Sequence, residues 1–462
     1  MSTFSGISTA LSALYAQRRA LDVAGQNIAN INTEGYSRQR ADLQSVGAPA
    51  VPSMFAVYDD AGGGVDVNSV ERLRDTFLEQ RGRSEHSQGS YLEQRKTDLA
   101  GIERVVGNLG DTGLSHQLSD LWASFSDVAN RPRDLAARNQ LLQQAGTVAS
   151  TLSEQSAVLG DQWAAQRQQV GTLVTEVNTT ASTIADLNLA VQRATSGGLP
   201  SNELQDRRDG LAMKLAELTG ATVRNGADGS LDVYLGGSAL VRGATTEAVT
   251  VTGATELTGL AGNPVGLSWA ADGRPADVPG GTLSAATENL NTTLPDFRTQ
   301  LDTVAAALVT KVNDVHTAGY DLAGTAGTPL FTGTTAATIA VAITDPALIA
   351  ASGTTGTANL DGSNADKLAA LAKDPTGPDA AFRSLMVRVG SAAKTATMRS
   401  SIQDTVTAAA DSARDSVSGV NLDEEMTNML AAQRAYEGAA RVMTAVDSML
   451  DTLINRTGLV GR

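Results

Sequence analysis

Apolar residues recur every three or four positions through most of this chain, and the rhythm breaks in few places. Near the N-terminus Ile7, Leu11, Leu14, Leu21 and Ile28 follow steps of four and three, with Arg18 and Gly25 in the two remaining places. That spacing predicts a helix carrying one seam of a coiled coil. The C-terminus mirrors it: Leu422, Met426, Met429, Tyr436, Ala440, Met443, Leu450 and Ile454 form a seam, and Val442, Val446, Met449 and Leu453 add a second stripe. Asn421 is placed to cap this helix, Glu424 stands at the reciprocal capping-box position, and Asp423 with Glu425 complements the positive end of the helix dipole.

The longest signal runs from Leu135 to Val191. A four-three count there visits Leu142, Ala145, Ala149, Leu152, Leu159, Trp163, Val170, Leu173, Val177, Ile184 and Leu187, with Arg138, Ser156, Gln166 and Thr180 as polar exceptions. No proline interrupts it, and at ~1.5 Å per residue it predicts a rod on the order of 85 Å long, weakest at Gly160 or Gly171. Such a rod needs neighbours. Leu114, Leu118, Leu121, Phe125 and Val128 form one shorter seam, and Leu294, Phe297, Leu301, Val304, Leu308 and Val315 another, so the middle of the chain reads as an elongated helical bundle. Residues 221–281 change period: Leu231, Val233 and Leu235 alternate with Asp232 and Tyr234, and NG, DG and GG pairs supply turns. A small β-domain inserted in the bundle is expected there. Residues 323–378, rich in Gly, Thr, Ala and Pro, read as further strands or as loop, and no period of repeats points to a solenoid.

The first helix stops at "NIANINTEGYSRQR", which begins at Asn27. Asn30, Asn32 and Gly35 suit a chain leaving a helix through left-handed backbone, and Tyr36 offers one large anchor beside Arg38 and Arg40. The stretch holds no histidine, cysteine, paired carboxylates or phosphate loop, so it reads as a joint.

Composition narrows the function. A length of 462 residues allows two to four domains, but aromatics are only 4%, which disfavours a deep aromatic-lined pocket. Lys plus Arg total 35 against 50 Asp plus Glu, a net charge of −15, and no basic stripe stands ready for a phosphate backbone. Nucleic acid is therefore not an expected partner. The chain has no cysteine, which removes disulfides, thiolate metal sites and Cys nucleophiles together. That absence fits either chance or passage through a secretion channel. The N-terminus lacks the basic start and apolar core of a cleavable signal, and no run of ~18 apolar residues occurs, so the expectation is a cytoplasmic protein or one exported without cleavage, with no membrane insertion.

Candidate chemistry is thin. His86, His116 and His316 share no metal-ligand spacing with each other. Ser391 and Lys394 match the S-x-x-K pattern of penicillin-interacting serine hydrolases, but the companion S-D-N and K-T-G triplets are missing. Gly62, Gly63 and Gly64 open the expected strand "VDVNSV" and lack the Lys-Ser/Thr of a phosphate loop. Asn178, Asn291 and Asn455 head N-x-T sequons, which carry no meaning if the source is bacterial. No catalytic residue, metal or cofactor is expected, and a secreted serine hydrolase using Ser391 and Lys394 is kept as the rival of a different class.

The N-terminal seam ending in "NIANINTEGYSRQR", resumed by "GGGVDVNSVERLRDTFLEQ" (62–80), resembles the terminal signature of bacterial flagellar axial proteins, the family of rod, hook and hook-associated subunits. "SGVNLDEEMTNML" (418–430) narrows the resemblance to the hook-associated protein 1 branch at the hook-filament junction; "LQDRRDGLAMKLAEL" (204–218) and "VNDVHTAGYDLAG" (312–324) agree with it. The match runs in order from end to end, while 221–281 and 323–378 match only in character. The chain is short for the family, which implies a reduced or absent outer β-domain.

The resemblance implies a mainly α fold with inserted β, an elongated multi-domain rod. A terminal coiled coil (1–60 with 415–462) would line an inner tube. A helical bundle (61–220 with 282–322 and 379–414) would surround it, and one small outer β-rich domain, or two (221–281 with 323–378), would face outward. The implied function is a structural adaptor joining hook to filament, needed for filament assembly, extracellular, and exported by the flagellar type III apparatus. Implied partners are further copies in a tubular ring, hook protein, the second hook-filament junction protein, and a cytoplasmic chaperone on the C-terminal helix. Hook protein and the second junction protein are the rivals of the same class; "SGVNLDEE" and the long 135–191 rod argue against both. Asn30 to Tyr36 would carry the chain from inner coil to outer bundle, and the terminal seams are expected to stay unpaired until assembly because neither can bury its stripe alone.

Overall fold

The computed structural model describes residues 3–46, 63–107, 110, 113–226, 228–357 and 360–456. Gly62 and the stretches 47–62 and 457–462, which fall in the expected terminal segments, lie outside the described residues. Helix α1 (Thr3–Ala29) leads through the joint into an antiparallel hairpin of β1 (Gln39–Ser45) and β2 (Val65–Arg72), whose register shifts between Asp42 and Leu43. Asp75 caps α2 (Thr76–Val106) by accepting from the N–H groups of Phe77 and Leu78. Helices α3 (Leu114–Asn130), α4 (Leu135–Ser196) and α5 (Asn202–Thr219) follow. The strands β3 (Thr222–Asn225), β4 (Leu231–Leu235), β5 (Ser238–Arg242), β6 (Thr245–Thr246), β7 (Val249–Thr252), β8 (Gly266–Trp269) and β9 (Pro275–Ala276) come next. Helix α6 (Gly281–Glu288) then runs through a π-helical turn at Asn289–Thr293 into α7 (Leu294–Thr317). The chain ends with β10 (Phe331–Thr332), β11 (Ala340–Val341), α8 (Ser363–Ala370), α9 (Pro378–Ser418) and α10 (Leu422–Asp451).

The 62 residues of α4 are uninterrupted, about 93 Å at ~1.5 Å per residue, and neither Gly160 nor Gly171 breaks it. Every position of the four-three count from Leu142 to Val191 is buried or half-buried, and the polar exceptions Arg138, Ser156, Gln166 and Thr180 are buried with them. Helices α3 and α7 supply the predicted neighbours: Leu118, Leu121 and Phe125 from one, and Leu301, Val304 and Leu308 from the other, are fully enclosed. Each such side chain contributes about 1.5–3 kcal/mol by leaving water. The resulting apolar core is continuous from Leu99 to Ala396 and contains no residue of α1 or α10. The bundle therefore holds together without the terminal helices.

Pro295 accounts for the π turn. It has no N–H to offer the carbonyl one turn back, and its ring crowds that carbonyl, so the turn widens. The widened turn is pinned from two sides. Trp163 Nε1 donates to Leu290 O at 2.9 Å, and the Asn291 side chain accepts from Val265 N at 2.8 Å and donates to Val265 O at 2.7 Å. Asn178 clamps Val249 in the same two-handed way, at 2.8 and 2.9 Å. These two sequon asparagines are thus occupied as clamps between helix and strand.

The period-two region forms two antiparallel sheets, β3-β4-β5-β6 and β7-β8-β9, with Leu231, Val233 and Leu235 turned inward. It lies along the C-terminal half of α4, where Asn188 donates to Leu231 O at 3.0 Å and Gly243 O at 2.7 Å. The expected grouping of 323–378 with this region is corrected. Strands β10 and β11 form their own two-stranded ribbon, α8 packs on α3, and the segment is anchored by Arg138 near the other end of α4. Arg138 donates to Pro132 O, Pro346 O and Ile349 O at 2.7, 3.1 and 2.6 Å, roughly 75 Å along the helix from Asn188. Burial pushes Arg138 down to about 10, Asp321 opposing it, so it stays charged and its carbonyl partners satisfy it. His316 belongs to the same anchor: Nδ1 donates to Thr328 O at 2.6 Å, Nε2 accepts from Ala350 N at 2.9 Å, and burial pushes it down to about 4. Both stretches share a Gly- and Thr-rich texture, and texture says nothing about where a segment docks.

Asp98 on α2 sits inside the bundle with Gln94 donating to Oδ1 at 2.7 Å and no partner for Oδ2 among the described residues. Burial pushes its carboxyl from 3.8 up to about 7, the Gln94 bond only partly opposing. Between about pH 4 and 7 the folded chain thus holds one proton more than the unfolded one. That stability is complete below the unfolded value and is lost as pH rises through the folded one. The expected loss is on the order of 3–4 kcal/mol by pH 8. Urea unfolding at pH 5 and pH 8 checks it: Asp98→Asn should lack this part of the fall, and equal falls in both proteins would refute the assignment.

Candidate functional site

Helices α1 and α10 lie antiparallel along each other: Gly6 faces Val446 and, at the other end, Asn27 meets Glu425. The contact face is narrower than the sequence pattern predicted. On α1 it buries Ala10, Ala16, Val23, Ala24 and Asn27, whereas Ile7, Leu14, Leu21 and Ile28 are half-buried along its flanks and Leu11 is exposed. On α10 Glu425 and Ala432 are buried, and Met429, Ala440, Met443, Val446 and Leu450 are half-buried. Small residues explain the rotation, because helices approach most closely where side chains are short. The expectation that both ends stay unpaired before assembly is corrected, since each partners the other. Yet Leu422, Met426, Leu430, Tyr436, Val442, Met449 and Leu453 stay exposed, and Ile454 is 73% exposed. One face is used within the chain, and apolar residues on the flanks either side of it are left open.

The joint below this coil is a closed polar hub. Asn27, 1% exposed, has all four of its side-chain bonds made. Nδ2 donates to Gln39 O at 2.8 Å and Glu425 Oε2 at 2.9 Å, while Oδ1 accepts from Gln39 N and from Tyr36 Oη, both at 2.9 Å. Glu425 gives its other oxygen to Arg38 Nε at 2.7 Å. Burial first, then the charges of Asp206, Glu425 and Glu203, pushes Tyr36 up to about 12, so its hydroxyl remains a donor. Between these groups Gly35 adopts φ of 78°, and Asn30 accepts from Thr33 Oγ1 at 3.1 Å. Asn421 caps α10 by accepting from Asp423 N at 3.0 Å. The reciprocal half of the expected capping box is corrected: Glu424 accepts from Arg38 Nη1 at 2.8 Å instead. Asp423 is exposed at the helix start, where its charge suits the dipole.

A second layer fixes the joint to the bundle. Ser37 donates through Oγ to Asp206 Oδ1 at 2.8 Å and accepts from Arg74 Nε at 2.9 Å. Arg72 donates to Asp206 Oδ1, Asp209 Oδ2 and Gln205 Oε1 at 2.7, 2.8 and 2.7 Å, and Arg74 also pairs with Asp209. Although burial works against it, the charge of Asp209 and the bonds from both carboxylates hold Arg72 above its usual range. Further along, His86 ties α2 to Glu217 on α5 and Asp411 on α9, each at 3.1 Å; the Glu217 bond raises its pKa and burial partly opposes it. Sequence reasoning missed Ser37, Arg72, Arg74, Asp206, Asp209 and the buried role of Glu425. The only signal was that "VERLRD" and "LQDRRDG" stood out as motifs, and nothing in them says that they meet.

An open cleft of about 1560 Å³ lies between the joint, α5 and the end of α9. Its His86, Arg74, Asp206 and Asp209 are committed to the ion pairs above, so they are fixed struts. Among the described residues no three His, Cys, Asp or Glu side chains converge as a metal needs. Ser391 and Lys394 are exposed in the middle of α9, where backbone N–H groups are taken by the helix and none is free to form an oxyanion hole.

The comparisons with known proteins match three separate stretches of the chain. A model described as the flagellar hook-associated protein FlgK helical domain matches residues 99–331. One for a flagella basal body rod protein matches 7–36, and one for the flagellar basal body rod FlgEFG protein C-terminal region matches 412–456, the two sides of the coil and its joint. The chain is 30% identical to flagellar hook-associated protein 1 of Bacillus subtilis over the whole of both chains. It is 25% identical to that of Escherichia coli over 97% of this chain and 99% of the other. A solved structure, the flagellar hook junction protein FlgK from Burkholderia pseudomallei, superposes with a TM-score of 0.64 at 17% identity, covering 73% of this chain and all of that one, and so shares its fold.

Proposed function

Because this chain belongs to the flagellar hook-associated protein 1 family, extracellular structural components of the bacterial flagellum at the hook-filament junction, we propose that it works there as a passive adaptor whose terminal coil is the assembly element. The observation that carries this reading is the unequal use of the coil. The inner face of α10 is spent on α1, and the apolar residues on its two flanks, Leu422 and Met426 on one and Val442 and Met449 on the other, have no cover among the described residues. In a tube of such coils, copies of the chain would supply it. The proposed assembly seam has two parts: Met429, Met443 and Leu450 close the coil against α1, while Ile7, Leu11, Leu14, Leu21 and Ile28 on the flanks of α1 with Leu422, Met426, Tyr436 and Ile454 on α10 are offered to neighbouring copies. The hub around Asn27 and Glu425 sets the angle between coil and bundle.

In this reading hook protein and the second hook-filament junction protein are the axial neighbours, and no residue carries out catalysis. Export proceeds through the flagellar type III apparatus, with a cytoplasmic chaperone covering the exposed Met, Leu and Val flanks of α10 beforehand. A chain cut after Gly419 would then escape the chaperone in a pull-down. The units are best drawn as the terminal coil with its hairpin, the bundle, and the 221–281 sheets, with 323–378 assigned to the bundle. Antibody labelling of isolated flagella should mark a narrow band between hook and filament. Labelling along the whole hook would assign the chain to hook protein instead.

A further inference from the structure

We propose that the outward face of α9 from Arg383 to Ile402 docks on the outward face of α4 from Glu154 to Ala165 of a second copy of this chain. The inference rests on the reading that copies assemble side by side. Residues eleven apart on a helix stand in line, about three turns apart. Helix α9 therefore carries parallel rows: Arg383 with Lys394 on one side, Val387 with Met398 in the middle, and Arg388 with Arg399 on the other, Ile402 extending the middle row. All are exposed, Val387 by 66% and Met398 and Ile402 by 58%. Four cations with no acid between them are unusual in a chain of net charge −15. Arg383 feels Asp379 one turn back, but Arg388, Lys394 and Arg399 form no ion pair among the described residues.

The complement is on α4. Glu154 and Asp161 stand in one exposed row beside Ala157 and Ala164, next to Val158 and Ala165, and neither acid is paired among the described residues. An apolar row flanked by cations on α9 thus meets a central row of acids flanked by small and apolar residues on α4, and the opposite charges suppress self-pairing of like faces.

Placement agrees with chemistry. Helix α9 packs chiefly on α2 and α7 and helix α4 chiefly on α3 and α5, and both turn their buried residues into the same core, so each exposed face points out of the bundle. They also sit at one height. Ser400 donates to Glu93 on α2 at 2.8 Å and Gln403 reaches Glu85, so α2 and α9 run antiparallel. Further along α2, Gly101 faces Gln162 of α4, and Val105 O accepts from Gln155 at 3.5 Å. Continuing that register places roughly residues 388–393 of α9 level with 155–162 of α4. Two different faces at equal height make a head-to-tail contact that closes into a ring when the rotation allows.

The absence of cysteine makes the contact easy to test in the full chain. Flagella would be isolated from cells making Lys394→Cys and Asp161→Cys together, or a chain with both substitutions, and treated with a short bis-maleimide. Mixed single variants should give a cross-linked dimer, the doubly substituted chain a ladder of trimers and longer, and each single variant alone no product. Dimers from one single variant alone would overturn the proposal. If antibody shows the protein in these flagella but no ladder forms, the docking is wrong and the functional reading stands. If the protein is absent from them, both fall. Lys394→Glu with Arg399→Glu should cut the fraction of filamented cells at least tenfold, and adding Glu154→Lys with Asp161→Lys should restore it to within twofold of wild type. Failure of that rescue counts against the contact.

Discussion

Met429→Asp combined with Met443→Asp should abolish filament growth while leaving the thermal transition of the bundle where it is in the wild type. Both methionines are half-buried on the face of α10 that meets α1, two heptads apart. The antiparallel register set by Gly6 with Val446 and Asn27 with Glu425 places them near Val23 and Ala10, both buried. A carboxylate placed there without a partner costs several kcal/mol, and two of them exceed what a short two-helix seam can return. The bundle does not feel this loss, because its apolar core from Leu99 to Ala396 contains nothing from α1 or α10. Cells should therefore build hooks and shed flagellin into the medium, and the purified variant should unfold at the wild-type temperature with reduced helix content. Normal filaments carrying the variant at the junction would show that the terminal coil is not the assembly element.

The same contrast explains what the sequence made legible. Helix α4 could be read almost residue by residue because one face is buried against the bundle along its whole length and the period persists for 62 residues, so even Arg138 and Gln166 fall on the buried face. The 221–281 sheets were legible from alternation at Leu231, Val233 and Leu235, which burial on one face enforces. The α1 seam was misplaced because the pattern weighs Leu and Ile above Ala, whereas close approach favours Ala10, Ala16 and Ala24. The hub was invisible for another reason. Asn27, Arg38 and Glu425 come from segments almost four hundred residues apart, and each has an ordinary local role: a polar position on a helix, a turn cation, a dipole-complementing acid. Only the fold shows that these roles are spent on one another. Docking of 323–378 on Arg138 is long-range in the same sense, and no local period reports it.

Glu425→Ala should loosen the coil from the bundle without unfolding either. The side chain is 4% exposed and ties three elements: one oxygen takes Arg38 Nε, on the strand side of the joint, and the other takes Asn27 at the end of α1. Removing it leaves Arg38 Nε and one Asn27 N–H without their acceptor while Glu424 still pairs with Arg38 Nη1, a loss of about 1–3 kcal/mol confined to the joint. Glu425→Gln keeps the shape but turns an NH2 group toward a donor on one side or the other, so it should cost less than Ala but more than nothing. Asp423→Ala, two residues earlier on the exposed start of α10, should stay within about 0.5 kcal/mol of wild type. Hydrogen exchange is the direct measurement. The amide of Gln39, held by Asn27 Oδ1, and that of Arg38, held by Ser418 O, should lose protection in Glu425→Ala, while amides in the middle of α4 keep theirs. Trypsin should then cut first at Arg38 or Arg40. If Gln39 and Arg38 stay protected in Glu425→Ala, the hub does not set the angle of the coil, and the rigidity of the joint must come from Ser37, Asp206 and Arg72 alone.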